Sequence, residues 1–359
     1  MKKIRYALIG FGGIAENRIA KEGFGCDRSR FNGVEGAELI GAFDLNQQRR
    51  EAAEKLQLQW YSSLDDIWQD DSIDAVYIAT NNASHAALAL EAMAHNNHVI
   101  VEKPAATSIS DAKKMVSAAR SRGLSLSVDH MMINNVYNIK AAEVIRSGKL
   151  GRVNDSCFHM EFAYGFNPAE AASWRCSKIE EMGGPVGDVA SHCFYMAEYL
   201  LQQQIEWVAC CYMPKLLDII VEDGACIKFG LADGTTGSIR VSFAEKRGGL
   251  AGVLTSNGYE VYGSDAVLRG YCTMSQFSGF ASEPVKTRLE LDNGKVHQDL
   301  EVGEVKNIYQ TLITNHARSI INNTPDDGSN GLHNLQLCEL AHRSAHENGK
   351  KIFLTQGDF

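Results

Sequence analysis

Between Arg5 and Val128, short apolar runs alternate with stretches in which apolar residues recur every three to four positions. The runs at Arg5 to Ile9, Glu38 to Phe43, Ala75 to Ala79, His98 to Val101 and Leu124 to Val128 predict strands. The periodic stretches at Gln47 to Leu56, His85 to Asn96 and Ser110 to Arg122 predict helices, the last with Ser110 as its N-cap. Strands and helices in strict alternation give a doubly wound parallel sheet with crossover helices. From about Gly151 the texture changes to longer alternating stretches, at Asn154 to Phe162, Gly224 to Leu231, Thr236 to Phe243 and Gly258 to Tyr262, punctuated by Gly, Asp and Asn. These predict an open, mainly antiparallel sheet.

At 359 residues the chain exceeds what one hydrophobic core serves, so the change in texture is read as a domain boundary. Residues 1–128 form the dinucleotide-type α/β domain and 129–359 a second, α+β domain for substrate binding and oligomerisation. A C-terminal helix at about 332–348 is expected to pack back near the first. No Pro- or Gly-rich linker, internal repeat or low-complexity tract separates them.

Charge narrows the partners. Lys plus Arg number 35 and Asp plus Glu 44, a net −9, with the positive residues scattered. That argues against nucleic acid and anionic membrane as partners. No apolar run approaches the roughly 20 residues that span a bilayer, and Met1-Lys2-Lys3 leads straight into a strand, so a cytoplasmic location is expected. The nine cysteines are odd in number, with Cys210 and Cys211 adjacent and no C-x-x-C pair, which reads as reduced, buried thiols and no metal site.

The chemistry begins in "RYALIGFGGIAENR", a strand followed by Gly10-x-Gly12-x-x-Ala15 and a helix. Gly10 permits a tight turn, Gly12 lets the backbone approach a pyrophosphate, and Ala15 lets the helix pack on the strand. Phe11, Gly13 and Ile14 complete the expected cofactor loop. Asp44 ends the second strand, where a carboxylate accepts from ribose hydroxyls and repels a 2′-phosphate, favouring NAD over NADP. The spacing from Gly10 is long, and the polar stretch Gly25 to Gly36 reads as the insertion responsible. Arg49 and Arg50 have two readings, a 2′-phosphate contact or a solvated helix face. In "VEKPAAT", Lys103 ends a strand at the edge where doubly wound sheets bind ligands. There a lysine can hydrogen-bond a substrate hydroxyl.

Taken together, Gly10-x-Gly12-x-x-Ala15, "DAVYIATNNASHAALALEAM", Glu102-Lys103-Pro104 and "GGPVGDVASH" resemble the glucose-fructose oxidoreductase and inositol dehydrogenase family, Gfo/Idh/MocA, nearly end to end. The resemblance implies a Rossmann domain, an open antiparallel sheet domain, homodimers or homotetramers, and a catalytic trio of Lys103, Asp188 and His192. The i, i+4 spacing of Asp188 and His192 agrees, since it sets both on one helix face. Histidine titrates in the range needed to exchange a hydroxyl proton. Gly183 and Gly184 upstream would permit close backbone approach to the ligands. Glu102, Thr80, Asn82 and His85 are expected cofactor contacts, with Ser84 as an alternative helix cap. The family's proline after Thr80 is replaced, predicting a looser loop. His130, Asn134 and Asn135 in "VDHMMINN", and Trp174 and Arg175 in "SWRCSK", are expected at the substrate. The activity implied is hydride transfer between NAD and a secondary alcohol of a sugar, glycoside or cyclic polyol. Two alternatives stand beside it: a glycosidase that keeps NAD bound and works through transient oxidation, and a non-catalytic nucleotide or sugar sensor. The intact trio argues against the sensor.

Overall fold

The structure is a computed structural model that describes residues 3–245 and 257–354. It divides into two compact units, the first made of Met1–Met131 and Asn307–His333, the second of Met132–Lys306 and Asn334–Phe359.

The first unit is built on six parallel strands: β1 Ile4–Ile9, β2 Ala37–Phe43, β3 Gln59–Trp60, β4 Ala75–Ile78, β5 His98–Val101 and β6 Leu126–Val128. Their order is β3-β2-β1-β4-β5-β6, reversing direction of growth between β1 and β4. β4 is wholly buried, and so is β5 apart from its first residue, as continuous apolar runs require when helices cover both faces. Because the strands are parallel, Gly10, Asp44, Thr80, Glu102-Lys103 and Asp129-His130 all follow strand ends on one edge.

Two sequence expectations are corrected here. The crossover helix after β5 is Ile109–Arg122, and its cap is Ser108, whose Oγ accepts from Asp111 N at 3.1 Å; Ser110 lies exposed in the first turn. The S-x-x-D spacing of Ser108 and Asp111 selects that register over Ser110. The segment 307–333, assigned by texture to the second domain, belongs to the first unit. Its helix Ile308–Ile321 lies on the helix Ala15–Gly23: a Cβ on Gly23 would sit 3.0 Å from Ile313 Cδ1. Ile313 and Ala317 share one buried cluster with Tyr6, Ile19 and Phe24. The insertion Gly25 to Gly36 connects Ala15–Gly23 to β2, with positive φ at Gly25 and Gly36.

His316 on this helix is buried, with Nδ1 2.7 Å from Tyr6 Oη. Burial pulls it, and His130, down to about 3, so both are neutral in the fold. A lowered histidine contributes stability that is full above the unfolded value near 6.5 and lost as pH falls toward the folded one. The contribution of these two histidines to the melting temperature is therefore expected to shrink as pH falls from 6.5 to 3. His316→Asn should flatten part of that decline; equal slopes in variant and parent would exclude His316 as a contributor.

The second unit holds nine strands: β7 Val153–Glu161, β8 Ile205–Tyr212, β9 Gly224–Leu231, β10 Thr236–Ser242, β11 Asn257–Gly263, β12 Val267–Tyr271, β13 Arg288–Asp292, β14 His297–Asp299 and β15 Ile352–Phe353. The order is β14-β13-β12-β11-β7-β10-β9-β8-β15, antiparallel except for β7 with β10. One face buries Phe158, Phe229, Ile239, Val241 and Tyr259. The Tyr259 hydroxyl donates to Asn138 Oδ1 on the helix Val136–Arg146 at 2.8 Å, and Ser344 on the helix Ser329–His346 takes the Cys210 amide at 2.8 Å. The C-terminal helix thus begins in the first unit and from Asn334 belongs to the second. The other face of the sheet is polar along Thr236–Ser242. Ile239 and Val241 point inward, and the alternating positions carry cross-strand ion pairs, Arg240 with Glu161 and Arg269 with Glu260 and Asp292.

Candidate active site

Each unit assembles its own group of functional side chains. In the first, β1 runs into a turn that only glycine can make at position 10. Gly10 has φ +88°, and a Cβ there would lie 2.7 Å from Ala79 O. At Gly12 and Gly13 nothing lies within 4 Å of where a Cβ would be, so the backbone is open at the start of the helix Ala15–Gly23. Ala15 is buried against the sheet and Ile14 is exposed. The Phe11 amide donates to Asp44 Oδ2 at 2.6 Å and the Asn46 amide to Oδ1 at 2.7 Å. Asp44 therefore shapes the loop, and its carboxylate keeps lone pairs for further donors. Arg49 is not a solvated residue: its Nε donates to Phe11 O at 2.6 Å and its guanidinium pairs with Glu16. Arg50 pairs with Glu54 at the surface. Beside Asp44 is a hollow of about 340 Å³ lined by Phe43, Leu45, Ser62, Ser63 and Leu64. An open glycine backbone at a helix N-terminus, a carboxylate at the second strand end and an adjoining hollow fit the pyrophosphate, ribose and adenine of a dinucleotide.

At the ends of β4, β5 and β6 lie the residues expected to face the reacting end of a ligand. The Lys103–Pro104 peptide is cis. The buried His85 ring lies between two backbone carbonyls, Nδ1 2.8 Å from Pro104 O and Nε2 3.3 Å from Thr80 O. Burial lowers its pKa, and the neutral ring, with a single N–H, donates to only one of them as it packs between the loop after β4 and the Lys103–Pro104 turn. That loop is braced despite the missing proline: Ser84 Oγ is 2.7 Å from Thr80 Oγ1 and donates to Asn81 O, rather than capping the helix. Asn82 is buried within it. His130 is buried and held neutral. Two residues that sequence reasoning missed join this group. Asp129 is wholly buried, and Tyr77 Oη donates to its Oδ2 at 2.5 Å. A polar residue directly beside the noted His130 was the available signal.

In the second unit, Pro185–Ala190 forms a wide helical turn leading into Ser191–Leu201, and it places Asp188 and His192 in buried positions. Arg175 Nε donates to Asp188 Oδ2 at 3.0 Å, and its guanidinium lies 4.6 Å over the Trp174 ring. Trp174, Arg175 and Asp188 are thus brought together. His192 Nδ1 is 2.8 Å from Tyr195 Oη, a partner not anticipated. Asn134 is buried, and Asn135 caps the helix Val136–Arg146 through Tyr137 N at 2.9 Å. The glycines before the turn serve packing within the unit. Gly184 has φ +87° and leaves room for Glu222, whose Oε1 takes the Val186 amide at 2.7 Å; the space at Gly183 is filled by the Trp174 and Lys178 carbonyls. Burial raises Glu222 to about 7.

Among the described residues no cluster of three or more His, Cys, Asp or Glu is arranged to hold a metal ion, and no helix is long and apolar enough to cross a membrane.

Comparison with known proteins agrees with this architecture. Residues 4–130 match the model of the GFO/IDH/MocA oxidoreductase family, NAD-binding Rossmann fold, and residues 139–269 match the GFO/IDH/MocA C-terminal domain. A 1,5-anhydro-D-fructose reductase from Ensifer adhaerens is 27% identical over 70% of this chain and 71% of its own length. A levoglucosan dehydrogenase from Pseudarthrobacter phenanthrenivorans is 31% identical over 43% of this chain and 38% of its own. Among solved structures, an aldose-aldose oxidoreductase from Caulobacter crescentus has the same fold, with a TM-score of 0.83 at 21% identity over 98% of this chain and 100% of that one.

Proposed function

We propose, for a chain that belongs to the Gfo/Idh/MocA family of oxidoreductases, an NAD-dependent transfer of hydride to or from a secondary alcohol carbon of a sugar, glycoside or cyclic polyol. The observation that carries this reading is the combination, in one unit, of an open glycine turn and Asp44 with Lys103 at the neighbouring strand ends. When bound, the nicotinamide supplies the hydride acceptor or donor. The chain's own residues do the rest. The Gly12 and Gly13 backbone and the helix N-terminus hold the pyrophosphate, and Asp44 takes the ribose hydroxyls. Lys103 donates to the reacting oxygen, polarising it, while His192 exchanges its proton and Asp188, fixed by Arg175, orients the substrate. Assignment of these roles rests on residue type and placement within each unit, and the named relatives support a carbohydrate substrate.

The test is a panel of sugars, glycosides and inositols with NAD and with NADP, followed at the nicotinamide absorbance. Net reduction with one class of substrate supports the reading. Glycoside cleavage with the cofactor unchanged after each turnover would favour the transient-oxidation alternative. No turnover, with nucleotide bound, would favour a sensor.

Cofactor choice is checked separately. Asp44→Asn keeps the side-chain shape but loses the charge. It should raise NADP affinity relative to NAD by about tenfold, the scale of one like-charge repulsion of roughly 1–2 kcal/mol at a partly exposed site. Asp44→Ser should do the same and also weaken NAD outright, since Phe11 N and Asn46 N lose their acceptor. An unchanged affinity ratio in calorimetric titration of both variants removes Asp44 from cofactor selection.

A further inference from the structure

The turn Pro185–Ala190 carries Asp188 and leads into the helix of His192, and its start needs an acceptor that the local sequence does not supply. Pro185 has no N–H, so the wholly buried Val186 brings the first amide of the turn that must find a partner. The position before Pro185, where Ser, Thr, Asp or Asn would ordinarily cap, is Gly184, which has no side chain to offer. The acceptor comes from 36 positions along the chain: Glu222 Oε1 takes the Val186 amide at 2.7 Å. The two residues are fitted to each other. A Cβ on Gly184 would lie 2.5 Å from Oε1 and 2.6 Å from Oε2, so only a residue without a side chain lets the carboxyl reach over the backbone to Val186.

Glu222 is itself held. The next residue, Asp223, is wholly buried; its Oδ1 takes the Lys215 ammonium at 2.7 Å and its Oδ2 the Leu217 amide at 2.7 Å. Lys215 Nζ also donates to Ile219 O at 2.8 Å and to Val221 O at 2.6 Å, which closes residues 215–223 into a compact loop. That loop grips a second element, since the Ile220 amide donates to Cys176 O at 3.0 Å. Cys176 follows Arg175, whose Nε donates to Asp188 Oδ2 at 3.0 Å. One loop thus holds Asp188 from two sides, at the backbone through Val186 and at the carboxylate through Arg175.

We propose that Glu222 is a positioning residue for hydride transfer: by accepting the Val186 amide it sets the start of the turn, and with it the placement of Asp188 and His192 against the substrate. It acts through the backbone of the turn and not on the reacting atoms. Either protonation state serves, because a carboxylate and a carboxylic acid both present an accepting oxygen, so the burial that raises Glu222 to about 7 does not release the turn.

The catalytic purpose rests on the function proposed above; the hold on the turn is measured without substrate or cofactor. Hydrogen–deuterium exchange of the free protein, followed by mass spectrometry of peptides spanning 183–190, reads the Val186 amide. Glu222→Met keeps the bulk and removes the acceptor, and exchange there should be about tenfold faster, the scale of leaving one buried donor unpaired. Glu222→Gln keeps an accepting oxygen and should exchange at the parental rate. On a substrate that the panel identifies, Glu222→Met should lower kcat about tenfold or more while KM changes less than about threefold, and Glu222→Gln should recover kcat to within about threefold of the parent. NAD affinity, held by the first unit, should be unchanged in both; a matching loss would mark a general structural defect and count against the role. If Glu222→Met fails to fold, Glu222→Asp, which withdraws the carboxyl by one methylene, carries both readouts. Parental exchange in the acceptor-free variant would overturn the hold. Faster exchange with parental kcat, or kcat lost alike in Glu222→Met and Glu222→Gln, would overturn the positioning role. A panel without turnover sinks the reading on which that role rests, and the role with it, while the exchange outcome stands.

Discussion

Lys103→Met should lower turnover by about 10²-fold or more on whichever alcohol the panel identifies, the range of a lost general acid or base. Methionine keeps much of the length of lysine and none of its charge. What it removes is a donor whose bond to the reacting oxygen strengthens as that oxygen gains negative character, so the loss belongs to kcat rather than KM. NAD affinity depends on the Gly10 turn and Asp44, which Lys103 does not support, and a fluorescence titration should find it nearly unchanged. Combining Lys103→Met with His192→Ala should cost less than the two losses multiplied, because groups serving one oxygen act as a unit. Full turnover by Lys103→Met would reduce the lysine to a solvated strand end.

Gly10→Ala should destabilise the first unit strongly. The residue would hold φ +88°, costing an alanine roughly 1–2 kcal/mol, and its Cβ would press on the Ala79 backbone at 2.7 Å. Backbone cannot yield as a side chain can, so a total loss of at least about 2–3 kcal/mol is expected in denaturant unfolding. Gly12→Ala is the contrast. Its Cβ meets nothing within 4 Å, so stability should change by less than about 0.5 kcal/mol while NAD binding weakens, the methyl standing where the pyrophosphate comes close. Equal stability losses in the two variants would contradict this division between fold and cradle.

Five of the six strands of the first sheet were legible as apolar runs, β2 and β5 to within a residue, whereas the two-residue β3 left no run to read. Local signals failed where the deciding partner is distant. Nothing in the periodicity of Ile308–Ile321 says which sheet it covers; that is decided by Gly23, some 290 positions away, which lets Ile313 and Tyr309 settle on it. Asp129 was passed over beside His130 because its partner, Tyr77, sits on another strand. Strands β12 and β13 went unread because their outward positions carry charged residues, which look like loop until the cross-strand partner is known; the apolar run of β8 was passed over. Of the site, residue types were legible and roles were not. Asp44 and Arg49 brace the glycine loop, His85 packs between the loop after β4 and the Lys103–Pro104 turn, and Gly183 and Gly184 make room for neighbours rather than for a ligand.

The return of residues 307–333 to the first unit sets the order in which a ribosome can finish this protein. All six strands and the glycine turn have left the exit tunnel long before Asn307 is made, with everything from Met132 to Lys306 translated in between. At bacterial rates that interval is on the order of ten seconds or more. Through it the surface formed by Tyr6, Ile19 and Phe24 waits for Ile313 and Ala317, an apolar face open to chaperones and to other nascent chains. A polypeptide halted anywhere before Asn307 contains the whole nucleotide-binding motif and still lacks the helix that closes its core, so vectorial synthesis cannot release a working first half early.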